Sequence, residues 1–104
     1  MTKYICGMFD IYSEDRIAIV TIDGVNNTKD ALSKFIERFR DSTTLAGETY
    51  HVCITTEYKA NVMVYKIIYK LNSNGKLITT ALPMKDLEKE KVDVLVSRTL
   101  QSSE

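Results

Sequence analysis

Tryptophan is absent from this chain of 104 residues, proline and histidine occur once each, cysteine twice and glycine four times. Each scarcity removes a class of explanation. Cys6 and Cys53 stand far apart with no CxxC, which points to two free thiols in a reducing compartment and not to a disulfide. One histidine and two cysteines lack the fourth ligand and the spacing of a structural zinc site. Four scattered glycines form no phosphate-cradling loop. Charge of one sign is missing too: Lys plus Arg and Asp plus Glu number 14 each, for a formal net charge of zero. That argues against a general electrostatic grip on nucleic acid or an anionic membrane.

Long apolar runs are also wanting, so no transmembrane helix is expected. The opening "MTKYICGMFDIYSED" is interrupted by Asp10 and lacks a signal-peptide layout. The expected place is the cytosol, away from membranes, and the "NNT" at Asn26 is a sequon without a secretory context. No repeat, linker or low-complexity stretch appears. The expectation is one domain over residues 1–104, with 99–104 as a loose tail.

What is present is strand and helix patterning. Residues 3–12 and 16–23 read as two strands turning at "SEDR". Pairing Ser13 with Arg16 puts Phe9 opposite Val20. Ile5, Phe9, Ile11, Ala18, Val20 and Ile22 then share an apolar core face with Gly7, leaving Tyr4, Cys6, Met8, Tyr12, Ile17 and Ile19 on the other side. "GVNNTKDALSKFIERFRD" predicts a helix capped by Asn27 or Thr28, with Ala31, Leu32, Phe35, Ile36 and Phe39 as its inner stripe. "STTLAGE" is a loop.

"TYHVCITTE", "ANVMVYKIIYKL" and "KLITTAL" predict three more strands. A turn near Tyr58-Lys59 places Ile54 opposite Met63 and Val52 opposite Tyr65. A two-residue turn at Asn74-Gly75 places Leu71 opposite Ile78 and Ile67 opposite Leu82. Pro83 ends the last strand, and the Lys/Glu-rich run that follows predicts a helix with Leu87, Val94 and Leu95 inward; the alternation of Val92, Val94 and Val96 is the argument for a sixth strand instead. The sum is an α+β domain: an antiparallel sheet of about five strands, element order ββαβββα, with helices packed on one face. In element order this resembles longin, roadblock and profilin-like domains, many of which bind partner proteins. From the first helix onward it also resembles a double-stranded-RNA-binding domain, although "MKDLEKEK" stands where such a domain would carry a basic cluster. Neither resemblance extends to diagnostic residues.

Four sets of residues compete as sites. Tyr65 and Tyr69 alternate with Lys66 and Lys70, so aromatics and cations point to opposite faces and form no base-stacking platform. His51 and Cys53 project from one face near Lys66, an arrangement in which a cation lowers a thiol pKa. Against that stand a separation of about 7 Å for residues two apart on a strand and the absence of an oxyanion loop. Asp10, Glu14, Asp15 and Asp23 lie mainly at turns and strand ends, where acids are solvated. The fourth set is the sheet face left bare if both helices cover the other. It comprises Tyr4, Met8, Tyr12, Ile17, Ile19, Val62, Val64 and Ile68, with His51, Cys53, Lys66 and Lys70 as its polar part. A contiguous apolar set of this size marks an interaction surface unless the C-terminal segment crosses over and buries it.

The sequence therefore favours a small, non-enzymatic protein-binding or regulatory module that associates through this face, as a homodimer and with protein partners, without cofactor or metal. The alternative is a nucleic-acid-binding module using a local patch of Lys59, Lys66, Lys70, Lys76, Arg38 and Arg40. A cysteine-dependent enzyme ranks third.

Overall fold

The elements follow in the expected order: β1 Thr2–Asp10, β2 Arg16–Val25, α1 Thr28–Arg38, a 3-10 turn Thr43–Leu45, β3 Thr49–Thr55, β4 Met63–Leu71, β5 Leu77–Pro83 and α2 Lys89–Leu100. The structure is a computed structural model and describes residues 2–101. The strands form one antiparallel sheet, ordered β2-β1-β3-β4-β5, and the class is α+β. No helix among the described residues is long and apolar enough to cross a membrane. Of the tail expected at 99–104, Thr99 and Leu100 instead close α2, with Thr99 buried; residues 102–104 lie outside the described residues.

Helix α1 forms as its sequence dictates. The Asn27 side chain accepts a hydrogen bond from the Asp30 N–H at 2.8 Å, satisfying one free donor of the first turn. Ala31, Leu32 and Phe35 are buried, with Ile36 and Phe39 packed at their border. Helix α2 starts six residues after Pro83, which itself belongs to β5. Leu95, Val96 and Thr99 point inward, whereas Val94, expected inside, is 56% exposed.

Registers decide the faces. The β3–β4 hairpin pairs as predicted, Ile54 with Met63 and Val52 with Tyr65. Its turn is held by Thr56, whose hydroxyl accepts from the Tyr58 and Ala60 N–H groups. The other two hairpins differ from expectation because the side chain bonded to the turn backbone moves the centre of the loop off the expected turn. At β1–β2, the Asp10 carboxylate accepts from the Tyr12 and Ser13 N–H groups, both at 2.8 Å, and Glu14 takes a positive φ of 64°. Met8, not Ile11, then pairs with Ala18, a shift of three, and a further irregularity sets Phe9 opposite Arg16. At β4–β5, the Asn72 side chain accepts from the Asn74 and Lys76 N–H groups and Gly75 takes φ 76°, giving a three-residue loop. Leu71 therefore pairs with Leu77 and Ile67 with Ala81.

Both corrections are odd-numbered shifts, so each turns a strand over. Tyr4, Cys6 and Met8 join Val20, Ile22, Tyr50, Val52, Ile54, Ile67 and Tyr69 beneath α1. Phe9 faces the opposite side, with Cys53, Val64 and Ile19. Ile78 and Leu82, expected beneath α1, also point to that opposite side and stay half exposed. The expectation of both helices on one face is therefore corrected: α1 covers one face, and α2 covers the other through Leu95 and Val96 over β1 and β3. The reason is that the strands carry apolar side chains on both faces, and neither face tolerates water.

Helix α2 approaches the sheet closely at Gly7. A Cβ built there would lie 2.5 Å from Thr99 Oγ1, 2.9 Å from the Phe9 ring and 3.1 Å from Ile19 Cδ1. The Thr99 hydroxyl is fixed, donating to the Leu95 carbonyl at 2.7 Å. Gly7→Ala should destabilise the fold by roughly 1–3 kcal/mol through overpacking. Combining it with Thr99→Ala should recover part of that loss. Urea unfolding of the wild type, both single variants and the double variant measures this coupling; strict additivity would place α2 elsewhere.

Candidate functional site

The residues expected on one open face are divided by the structure. Tyr4 and Met8 are buried beneath α1. Cys53 and Val64 are buried beneath α2, with Ile19 and Val62 packed at the border of the same cluster. Tyr12, 84% exposed, lies in the β1–β2 loop, and Ile17 is exposed near the start of β2 at the sheet's far edge. Only His51, Lys66, Ile68 and Lys70 remain together at or beyond the margin of α2. The cations of the alternative patch are likewise spread: Arg38 ends α1 on one face, Lys66 and Lys70 lie on the other, and Lys59 and Lys76 occupy different turns.

The His51–Cys53 pair does not make a reactive thiol. Cys53 is fully buried, and burial pushes its pKa up to about 11, only partly opposed by the neighbouring Thr99 hydroxyl. Cys6 is pushed up to about 12 by burial and by the neighbouring Cys53. The two thiols belong to adjacent strands but opposite faces, so they do not pair. His51 is half-buried, and desolvation, then Lys91 and Lys66, hold its pKa below the ordinary histidine value. Among the described residues no group of three or more His, Cys, Asp or Glu side chains is placed to hold a metal ion.

Two surfaces remain. The first is the β4–β5 side of the sheet beyond α2. There Lys66 pairs with Leu82, Ile68 with Thr80 and Lys70 with Ile78; Ile78 is 47% and Leu82 45% exposed. This surface runs to the free edge of β5, "LITTALP", which carries no charge and no register shift. The other edge, β2, carries Arg16 and Asp23 and pairs with β1 through two register shifts, devices that discourage further pairing. The outward backbone groups of β5 follow from its inner ones. Asn72 N–H donates to the Lys76 carbonyl and Met84 N–H to the Val64 carbonyl, so even-numbered residues bond β4. Leu77, Thr79, Ala81 and the Pro83 carbonyl then face outward. Pro83, with no N–H to offer, sits on the side where no ladder bond is lost.

The second surface is a cleft of about 620 Å³ between α2, the β5–α2 connection and the ends of β1 and β3. Its walls include Phe9, Met84, Leu87 and Leu95, with His51 and Arg98 as half-buried polar groups. The Arg98 guanidinium stacks 4.6 Å from the Phe9 ring centroid and donates to the Glu14 carbonyl at 2.7 Å. It thereby ties α2 to the β1–β2 loop. The sequence placed Lys66, Ile68, Lys70 and His51 on a common face but showed neither Ile78 and Leu82 beside them nor the cleft, because these depend on the length of the Asn72 loop and on where α2 packs.

Comparison of this chain with protein-family models, curated proteins and solved structures finds no match. The site must be judged on its own geometry.

For Cys53 the consequence is measurable. Raising a thiol from about 9 to about 11 lowers its thiolate fraction near neutral pH by roughly a hundredfold. Native Cys53 should react with iodoacetamide at least that much more slowly than a free thiol, and reach the free-thiol rate in denaturant. Mass-resolved alkylation checks this; rapid labelling of native Cys53 would restore the reactive-thiol interpretation.

Proposed function

We propose that this protein is a cytosolic, non-enzymatic association module whose binding surface is the free edge of β5 with the flanking Lys66, Ile68, Lys70, Ile78 and Leu82, and that a second copy occupies this surface in a homodimer. The observation that carries the proposal is a weakly protected edge strand: seven uncharged residues, unbroken in register, uncovered by any helix, with Pro83 blunting its last position alone. Such an edge presents ready hydrogen-bond donors and acceptors to another strand.

The sequence of β5 is self-complementary about Thr80. An antiparallel pair of β5 strands with its two-fold axis there sets Thr79 opposite Ala81 of the second copy and Leu77 opposite Pro83. The outward groups then form roughly six hydrogen bonds, and Pro83 contributes only its carbonyl. On the α2 side the same register sets Ile78 against Leu82 of the second copy and Thr80 against its own copy. Shifting the axis to Thr79 places Leu82 against Lys76 and loses that apolar pairing. Complete burial of a large aliphatic side chain contributes roughly 1.5–3 kcal/mol, and half-exposed Ile78 and Leu82 would each gain about half of that, before the cost of association.

Thr80 is exposed, so its substitution tests the dimer without disturbing the monomer fold. The wild type should sediment as a dimer within a range of about 10 to about 500 µM. Thr80→Lys and Thr80→Glu should each weaken the dimer at least about tenfold, because like charges meet at the axis. Mixing the two variants should restore a heterodimer. A wild type that stays monomeric over that range, or dimers indifferent to either charge, would remove the proposal; an extended peptide that then captured the same edge would reassign it to strand addition by another protein.

A further inference from the structure

The second surface has a different chemistry from the first. Helix α2 turns Lys91, Val94, Leu95 and Arg98 toward the cleft, at the three-, four- and seven-residue spacings of one helix face. The floor is apolar, built from Phe9 and Leu95, with Met84 and Leu87 closing one side. A space of this size, mainly apolar with a few convergent polar groups, has the form of a small-molecule site.

The charges are sorted by depth. The half-buried polar groups, His51 and Arg98, are basic or neutral. Glu14, Glu88 and Glu90, which border the cleft, belong to exposed residues where water screens them, as does Lys91, which differs from them in acting on His51. Asp10 borders the cleft as well, but its carboxylate is engaged by the turn, accepting from the Tyr12 and Ser13 N–H groups, and it acts on Tyr50 of the other face. The charged neighbours that act on His51 are Lys91 of α2 and Lys66 of β4, both cationic. The field at the imidazole is thus positive. Arg98 adds further N–H donors, since its bond to the Glu14 carbonyl uses only one of the five on a guanidinium.

We propose that this cleft binds a small apolar molecule bearing one carboxylate, of the medium-chain fatty-acid class, with its head group beside His51 and Lys91 and its chain along Met84, Leu87 and Leu95. The apolar walls supply the burial energy for the chain, and the sorted charges select the sign of the head group. A carboxylate placed there favours the imidazolium, whose formation desolvation and the two lysines otherwise oppose. Binding is therefore linked to proton uptake at His51 and strengthens as pH falls toward the imidazole pKa.

The single histidine makes the test direct, because its ring protons are resolved reporters in an NMR titration. Decanoate, added below its micellar range, should shift the His51 resonances saturably and raise the His51 pKa. Decyltrimethylammonium, with the same chain and opposite charge, should bind at least about tenfold more weakly. Lys91 is exposed and free to change; Lys91→Glu should weaken decanoate at least about fivefold while leaving the spectrum of the fold intact. No saturable shift at His51, equal binding of the two amphiphiles, or decanoate binding indifferent to Lys91→Glu would each overturn the proposal.

Discussion

The central strands β1 and β3 carry large apolar side chains on both faces, and the rest of the architecture answers that constraint. Cys6 and Met8 look one way and Phe9 the other; Val52 and Ile54 look one way and Cys53 the other. A single helical layer would leave half of these in water, at a cost of roughly 1.5–3 kcal/mol for each large side chain. Two layers are required, and only one helix is available for each. α1 supplies Phe35 to the first. α2 supplies Leu95 and Val96 to the second and approaches so closely at Gly7 that no other residue type fits without rearrangement.

Two short helices do not cover five strands equally. α1 spans the β2–β1–β3 side, and the 3-10 turn with Leu45 extends its layer toward β4. On the other face, α2 rests on β1 and β3, and its layer reaches Val64 at the start of β4 but leaves the rest of β4 and β5 uncovered. Ile78 and Leu82 are left at the margin for that reason, on the strand whose edge is also free. The uncovered surface is thus a geometric remainder of the packing that buries the centre. The protected and unprotected edges differ in kind: β2 carries charge and irregular pairing, whereas β5 carries threonine, leucine and isoleucine in a straight register.

Element types and order were legible because their signals are local. The Asn27 cap, the spacing of Ala31, Leu32 and Phe35, and the β-branched runs each act within a few residues. The β3–β4 register was legible too. The other two registers were not, because each depended on whether one polar side chain bonds the turn backbone. Asp10 and Asn72 do so, lengthening their loops beyond two residues and inverting the faces of β1 and β5. Alternation could not reveal the inversion of β1, since both of its faces are apolar. That ambiguity carried through to the site: Tyr4 and Met8 were assigned to the open face, and they belong to the core beneath α1. The excess of apolar residues on the supposed open face was a real signal, and what it marked at Ile19, Cys53, Val62 and Val64 was the seat of α2.

The two surviving surfaces are not independent, because one row of side chains crosses the sheet between them. His51 pairs with Lys66 across β3–β4, and Lys66 pairs with Leu82 across β4–β5. Lys66 therefore stands between the imidazole in the cleft and the half-exposed leucine at the edge. Its ammonium opposes protonation of His51 from one side, while its methylene stem lies beside the apolar surface on the other. Covering Leu82 would remove water from around that stem and strengthen the ammonium's influence on His51, since charges act further where water is excluded. An anion beside His51 would draw the same ammonium toward the cleft and away from the edge. Lys66 is thus the side chain that borders both surfaces, the cross-strand neighbour of His51 on one side and of Leu82 on the other.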